Sequence, residues 1–213
     1  MEAFIFDMDG VLVDSEPLHE KVKRETLSHF GLPVDAALLR DYIGRSSKDF
    51  FAEIVAGAGR SDLSPKMLED YKHTHYLEVL ERDGATPIPG AVDLVHRLLR
   101  KGVPLALASS SIRRAIELVL EDFGIEDAFR AVISGAELTA SKPNPEIYEK
   151  AAAALGVPPA ACTALEDAAA GVLAAKRAGM RCIGFKSPHS VGQDLSWADF
   201  VVEHLADIDV DRL

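Results

Sequence analysis

Short apolar runs alternate with helix-like segments from about residue 86 onward, which predicts an α/β protein built on a parallel sheet. A further apolar run, Ala3-Phe4-Ile5-Phe6, opens the chain with the length and composition of a buried strand. Between the two lies a stretch whose patterns are helical throughout. The expected architecture is a parallel-sheet core formed by residues 1–15 and 83–213. An all-helical cap domain, residues 16–82, interrupts it after the first strand.

After Ser15, the residues Leu18, Val22, Leu27 and Phe30 recur at helical spacing and stop at Gly31-Leu32-Pro33. Further helices are expected over 36–43, 48–56 and 65–80, punctuated by Gly44-Arg45-Ser46 and Gly57-Ala58-Gly59. The pattern changes at Thr86-Pro87-Ile88-Pro89-Gly90. A helix ending at Arg100-Lys101-Gly102 precedes the β-like run PLALAS at 104–109. Helix 112–123 precedes AVIS at 131–134, helix 145–155 precedes CTAL at 162–165, and helix 168–178 precedes CIGF at 182–185. DFVV at 199–202 is the last candidate strand. Strand–helix alternation implies right-handed crossovers that cover both faces of the sheet. In such sheets sites form beyond the carboxyl ends of the strands, so polar residues should gather there.

Hydrophobic residues at 48% and charged residues at 27% are ordinary for a soluble globular chain of 213 residues. The formal net charge of −11 disfavours nucleic acid and anionic membranes as partners. A small phosphate ester remains open, because a divalent cation reverses the local sign. Cys162 and Cys182 sit in apolar runs and read as buried, reduced thiols. The Ala-rich stretch 151–180 is broken by prolines and charges and cannot span a bilayer. Met1-Glu2 leads straight into the first strand with no signal-type segment, so the expected location is cytoplasmic.

The ends of the apolar runs are where chemistry collects. FIFDMDG delivers Asp7 and Asp9 just before Gly10. On an extended strand, residues two apart point the same way, and two like charges repel unless a cation or a shared proton compensates. An acidic turn or helix cap is the plain alternative. The second β-like run ends in Ser109-Ser110-Ser111 and the fourth in Glu166-Asp167, and Ser141-Lys142-Pro143-Asn144-Pro145 forms a loop between them. Taken singly, Ser109 or Glu166-Asp167 can be explained as helix caps and Lys142 as a surface lysine. Taken together they form a consistent set. Carboxylates are hard oxygen ligands for Mg²⁺. A carboxylate can attack phosphorus while another moves protons. A lysine and a hydroxyl can hold phosphoryl oxygens.

DMDGVLVDS, ASSS, SKPNPEIY and LEDAAAG resemble, in order and spacing, the motifs of the haloacid dehalogenase-like superfamily. The resemblance covers nearly the whole chain, and is greatest to the branch of β-phosphoglucomutase and sugar-phosphate phosphatases. It implies a Rossmann-like core with a helical cap that closes over the site. It implies that Asp7 is the nucleophile, and that Asp9 is the general acid/base with its backbone carbonyl on Mg²⁺. Ser109 and Lys142 would hold phosphate, and Glu166 and Asp167 would complete the metal site. Gly10, Ser110 and Ser111 fall among the substrate-binding positions. His19 and Lys72 match cap-facing positions of the mutase. Dehalogenases of the superfamily lack the second aspartate, so Asp9 argues for phosphoryl transfer.

Two departures stand out. Ala168 replaces the Ser or Thr that often follows the Glu-Asp pair, and Ser47 stands where the mutase has an arginine. Arg45 or Lys48 are candidates to replace that cation. His73 and His75, two apart on a helix, do not share a face and are poor joint ligands. The expectation is a Mg²⁺-dependent phosphatase acting on a small phosphorylated metabolite, a sugar or polyol phosphate, through an aspartyl-phosphate. The alternatives are a phosphosugar mutase and a catalytically silent binding protein on the same fold.

Overall fold

Ala3, Phe4, Ile5 and Phe6 are all fully buried, as an apolar run must be when both faces of its strand are covered. In the computed structural model, which describes residues 1–34, 47–188 and 192–213, this run is β1 (Ala3–Phe6). It is followed by β2 (Leu105–Ser109), β3 (Ala131–Ser134), β4 (Cys162–Glu166), β5 (Arg181–Phe185) and β6 (Phe200–Val202). All pair in parallel, in one six-stranded sheet of order β3-β2-β1-β4-β5-β6. β1 is thus central. Its registers set Phe6 beside Leu107 on one side and beside Leu165 on the other. The strand order reverses there, so the ends of β1 and β4 flank the switch point where ligands bind in such sheets.

The chain divides into two units, Met1–Asp14 with Ala85–Leu213, and Ser15–Gly84. In the first, four helices connect the strands: α4 (Ala91–Arg100), α5 (Arg113–Phe123), α6 (Glu146–Leu155) and α7 (Ala169–Arg177). Right-handed crossovers place α4 and α5 on one face and, after the chain steps across β1, α6 and α7 on the other. On the α6 and α7 face, Ala3 and Ile5 pack with Ala106, Ala108, Ala164, Tyr148 and Val172. The small side chains of the strands let the helices approach closely, which matters for Tyr148 below. Cys162 and Cys182 are free thiols buried in this layer. On the opposite face Phe6 meets Phe129 edge-on, with ring centroids 5.9 Å apart.

The second unit is helical and lies between β1 and β2 in the chain, as the pattern predicts. Its described helices are α1 (Glu16–His29), α2 (Ser47–Ala58) and α3 (Pro65–Asp83). Leu27, Leu32, Phe50, Phe51 and Leu68 form its core. Ser64 caps α3, its hydroxyl accepting the Met67 N–H at 3.3 Å, and Pro65 fits the first helical turn. α3 runs three residues beyond its expected end, and α2 includes Gly57, which the sequence suggests as a break. The helix expected over 36–43 and Arg45 lie outside the described residues, as do the side chains of Ser47 and Lys48.

Candidate active site

β1 stops at Phe6, but the Asp7 N–H still bonds to the Leu165 carbonyl at 3.0 Å, so the first acid is held beside β4. The chain then folds back tightly. The N–H groups of Val11, Leu12 and Val13 all point at the Met8 carbonyl, at 3.2, 2.8 and 3.1 Å. Because the strand ends before them, the alternation that would place Asp7 and Asp9 side by side does not apply. The Asp9 carboxylate instead accepts the Ser111 hydroxyl at 2.7 Å. The acids that join Asp7 are Glu166 and Asp167 from the end of β4, and one carboxylate oxygen from each of the three lies within 4.8 Å of the others.

Two glycines make room for this trio. Gly10 takes a left-handed φ of 77°, and a Cβ there would stand 2.0 Å from Asp167 Oδ2. A Cβ on Gly171, in the first turn of α7, would stand 2.0 Å from the Glu166 carboxylate. Neither acid caps that helix with its side chain: the N-cap is Ala168, and the Ala169 N–H is taken by Gln193 at 2.9 Å.

Lys142 is the cation of the site, its side chain 9% exposed. Its ammonium donates to Asp7 Oδ1 at 2.6 Å, to Glu166 Oε1 at 2.6 Å and to the Ala108 carbonyl at 3.0 Å. It is no surface lysine. Burial pulls its pKa down, but the charges of Asp7 and Glu166 outweigh that and hold it above the ordinary lysine value. Burial raises Asp7 well above the usual carboxylate range against the pull of Lys142, with Glu166, Asp167 and Asp9 adding to the rise. Burial, and then Glu166, push Asp167 up to about 7. Among the described residues, four acidic groups against one ammonium leave a deficit of positive charge. The hard oxygen donors and that deficit fit a divalent cation.

Ser109 is fully buried, and its Oγ accepts the Ser111 N–H at 3.0 Å. It does not cap α5, whose N-cap is Ile112. Ser110 is exposed beside it. Three residues went unread in the sequence. Tyr148 on α6 donates to Glu166 Oε1 at 2.5 Å. The Ser187 hydroxyl, beyond β5, donates to Asp167 Oδ2 at 2.9 Å, which supplies from another strand the kind of group that Ala168 lacks. Gly171 is the third. The motif SKPNPEIY contains Tyr148, but nothing in its spacing points to a hydroxyl facing β4. Within the second unit, Lys72 Nζ and His19 Nδ1 are 3.5 Å apart, and His19 stacks on Tyr76 with ring centroids 4.7 Å apart.

A parallel α/β core with a helical cap inserted after β1, and with acids at the ends of β1 and β4 beside a buried lysine, defines a phosphoric monoester hydrolase. The chain belongs to the haloacid dehalogenase-like hydrolase family, whose model matches residues 1–179. It is 31% identical to validoxylamine A 7'-phosphate phosphatase of Streptomyces hygroscopicus subsp. limoneus, covering 96% of this chain and 94% of the relative. It is 31% identical to β-phosphoglucomutase of Bacillus subtilis over 100% of this chain and 94% of that one. Among solved structures, an aspartate-to-asparagine variant of CbbY from Rhodobacter sphaeroides, in complex with xylulose 1,5-bisphosphate, superposes with a TM-score of 0.82 at 27% identity. That match covers 97% of this chain and 96% of the other.

Proposed function

We propose that the protein is a phosphatase of sugar or polyol phosphates that requires Mg²⁺ and works through an aspartyl-phosphate on Asp7. The observation that carries this reading is the convergence of Asp7, Glu166 and Asp167 on one another, with the Lys142 ammonium bonded to two of them. Asp7, Glu166 and Asp167, with the Asp9 backbone carbonyl, would hold the cation. Bound there, Mg²⁺ would neutralise charge on the acids and on the phosphoryl oxygens. Asp7 attacks phosphorus through a carboxylate oxygen. Asp9 gives its proton to the departing alcohol oxygen and then takes one from the water that hydrolyses the acyl phosphate. The Ser111 hydroxyl, on Asp9 Oδ2, fixes the orientation of that carboxylate. Lys142 and Ser109 stabilise the other phosphoryl oxygens, Lys142 by its charge while its N–H bonds go to Asp7, Glu166 and the Ala108 carbonyl, with Gly10, Ser110 and Ser111 lining the same position.

His19 and Lys72 are proposed to read the leaving group, with Arg45 and Ser47 as further substrate-binding positions. A sugar or polyol phosphate is favoured because the phosphatase and the mutase named above both resemble this chain over nearly its whole length. A cytoplasmic location is proposed on the two buried free thiols; no described helix is long and apolar enough to cross a membrane.

The mutase reading is kept alive by the 31% identity to β-phosphoglucomutase and by the neighbouring His19 and Lys72. A mutase must anchor a second phosphate, however, and Ser47 cannot form the bidentate, charge-assisted clamp of an arginine. Hydrolysis is therefore expected to dominate. The test is to incubate the protein with β-glucose 1-phosphate, Mg²⁺ and a trace of the bisphosphate, and in parallel with a panel of sugar and polyol phosphates. Phosphate release without isomerisation is the expected result. Glucose 6-phosphate forming much faster than free phosphate would overturn it.

A further inference from the structure

Tyr148 is fully buried, and its hydroxyl lies 2.5 Å from Glu166 Oε1. The same oxygen receives Lys142 at 2.6 Å. An ammonium has three N–H bonds, and Asp7, Glu166 and Ala108 take all three. The 3.5 Å approach of Lys142 Nζ to the Tyr148 hydroxyl is therefore left without a proton of its own, and the phenol proton is the one directed at Glu166. The ring adds a second contact, with Lys142 Nζ 5.1 Å from its centroid. Gly171 lies against the carboxylate, where a Cβ would stand 2.0 Å from Cδ and from Oε1 and 2.2 Å from Oε2. Both donors converge on Oε1, and among the described residues no donor is bonded to Oε2.

We propose that Tyr148 is a positioning residue for the metal: by tying Glu166 through Oε1, it leaves Oε2 to the cation and keeps the carboxylate from rotating. The proposal rests on the metal-dependent reading above. A phenylalanine would keep the ring against Lys142 and would leave Glu166 with Lys142 as its donor, so no buried acceptor is orphaned and the fold is retained. Without the tether, the carboxylate is held by Lys142 alone and can rotate, so its availability to a cation falls.

The experiment is calorimetric titration of the metal-free protein with MgCl₂, wild type against Tyr148→Phe, alongside melting of both metal-free forms. Outer hydrogen-bond partners of metal ligands typically contribute tenfold or more to affinity, so Mg²⁺ should bind Tyr148→Phe about tenfold more weakly, with melting shifted by only a few degrees. A change in affinity under about threefold would overturn the proposal. So would a metal-free variant that is unfolded at the titration temperature, since the phenol would then be a structural necessity and nothing more. A wild-type protein that binds no Mg²⁺ would remove the metal reading and this proposal with it. Wild-type binding with an unchanged Tyr148→Phe removes the proposal alone.

Discussion

Replacing Asp7 by asparagine keeps the side chain's volume, removes the attacking oxygen, and removes a carboxyl that burial, and then repulsion from Glu166 and Asp167, raise above its usual range. The variant should fold and lose turnover by orders of magnitude. Phosphate release above about a tenth of wild type, a barrier change under roughly 1.4 kcal/mol, would rule Asp7 out as the nucleophile. Gly171→Ala sets two effects against each other. Alanine is favoured over glycine in a helix by about 1 kcal/mol. Its Cβ, however, would stand 2.0 Å from the Glu166 carboxylate, which must move. The displacement should win, giving weaker Mg²⁺ binding and no rise in melting temperature; a stabilised, fully active variant would contradict it. The acids and Lys142 were legible because their chemistry shows in residue type and place at the ends of apolar runs. Tyr148, Ser187 and Gly171 were not. Each acts across a helix–sheet or strand–strand contact, and a tyrosine in the first turn of a helix gives no sign of which strand its hydroxyl will meet.

Among the elements, α1 and α3 are pinned by His75. Its Nε2 lies 2.6 Å from Glu25 on α1 and its Nδ1 3.1 Å from Glu78 on its own helix. Only the doubly protonated ring can donate to both. Burial lowers the His75 pKa, but the hydrogen bonds to Glu78 and Glu25 prevail and hold it above the ordinary value. For a histidine raised on folding, the added stability is complete below the unfolded pKa near 6.5 and is lost as pH rises through the folded value. With both carboxylates partly exposed, the loss should be under about 1 kcal/mol. Melting of wild type and His75→Gln at pH 5.5 and 8.5 checks this: the two should differ at the lower pH and converge at the higher. Element boundaries were mostly legible to within a residue or two, because glycines and prolines punctuate the apolar runs. α3 outruns its pattern where Lys21 on α1 bonds Asp83 at 2.6 Å, a tertiary contact that local spacing does not contain.

For the molecule as a whole, a cation that binds the folded trio and not the unfolded chain must raise the melting temperature. At a hundredfold excess over Kd the gain is about 2.7 kcal/mol, or roughly 5–10 °C for a chain of this size. Mg²⁺ and Ca²⁺ should both stabilise, whereas turnover should need Mg²⁺ and be inhibited by Ca²⁺. Ca²⁺ accepts more ligands at longer distances and can engage both oxygens of Asp7. Equal turnover with the two ions, or full turnover in excess chelator, would contradict this.

The strand order β3-β2-β1-β4-β5-β6 has a consequence for how the protein is born. β1 is made first, yet both of its neighbours lie far downstream. At ordinary elongation rates about 5–20 s separate its synthesis from that of β2, and longer still from β4. Through that interval AFIF is a sticky ribbon with neither edge taken, while the intervening segment, with Leu27, Phe50, Phe51 and Leu68 as its own core, can already close. The nascent chain must carry its future centre unguarded behind a finished cap. Slow translation between residues 7 and 104, or a shortage of holding chaperones, is therefore where its yield in the cell would be decided.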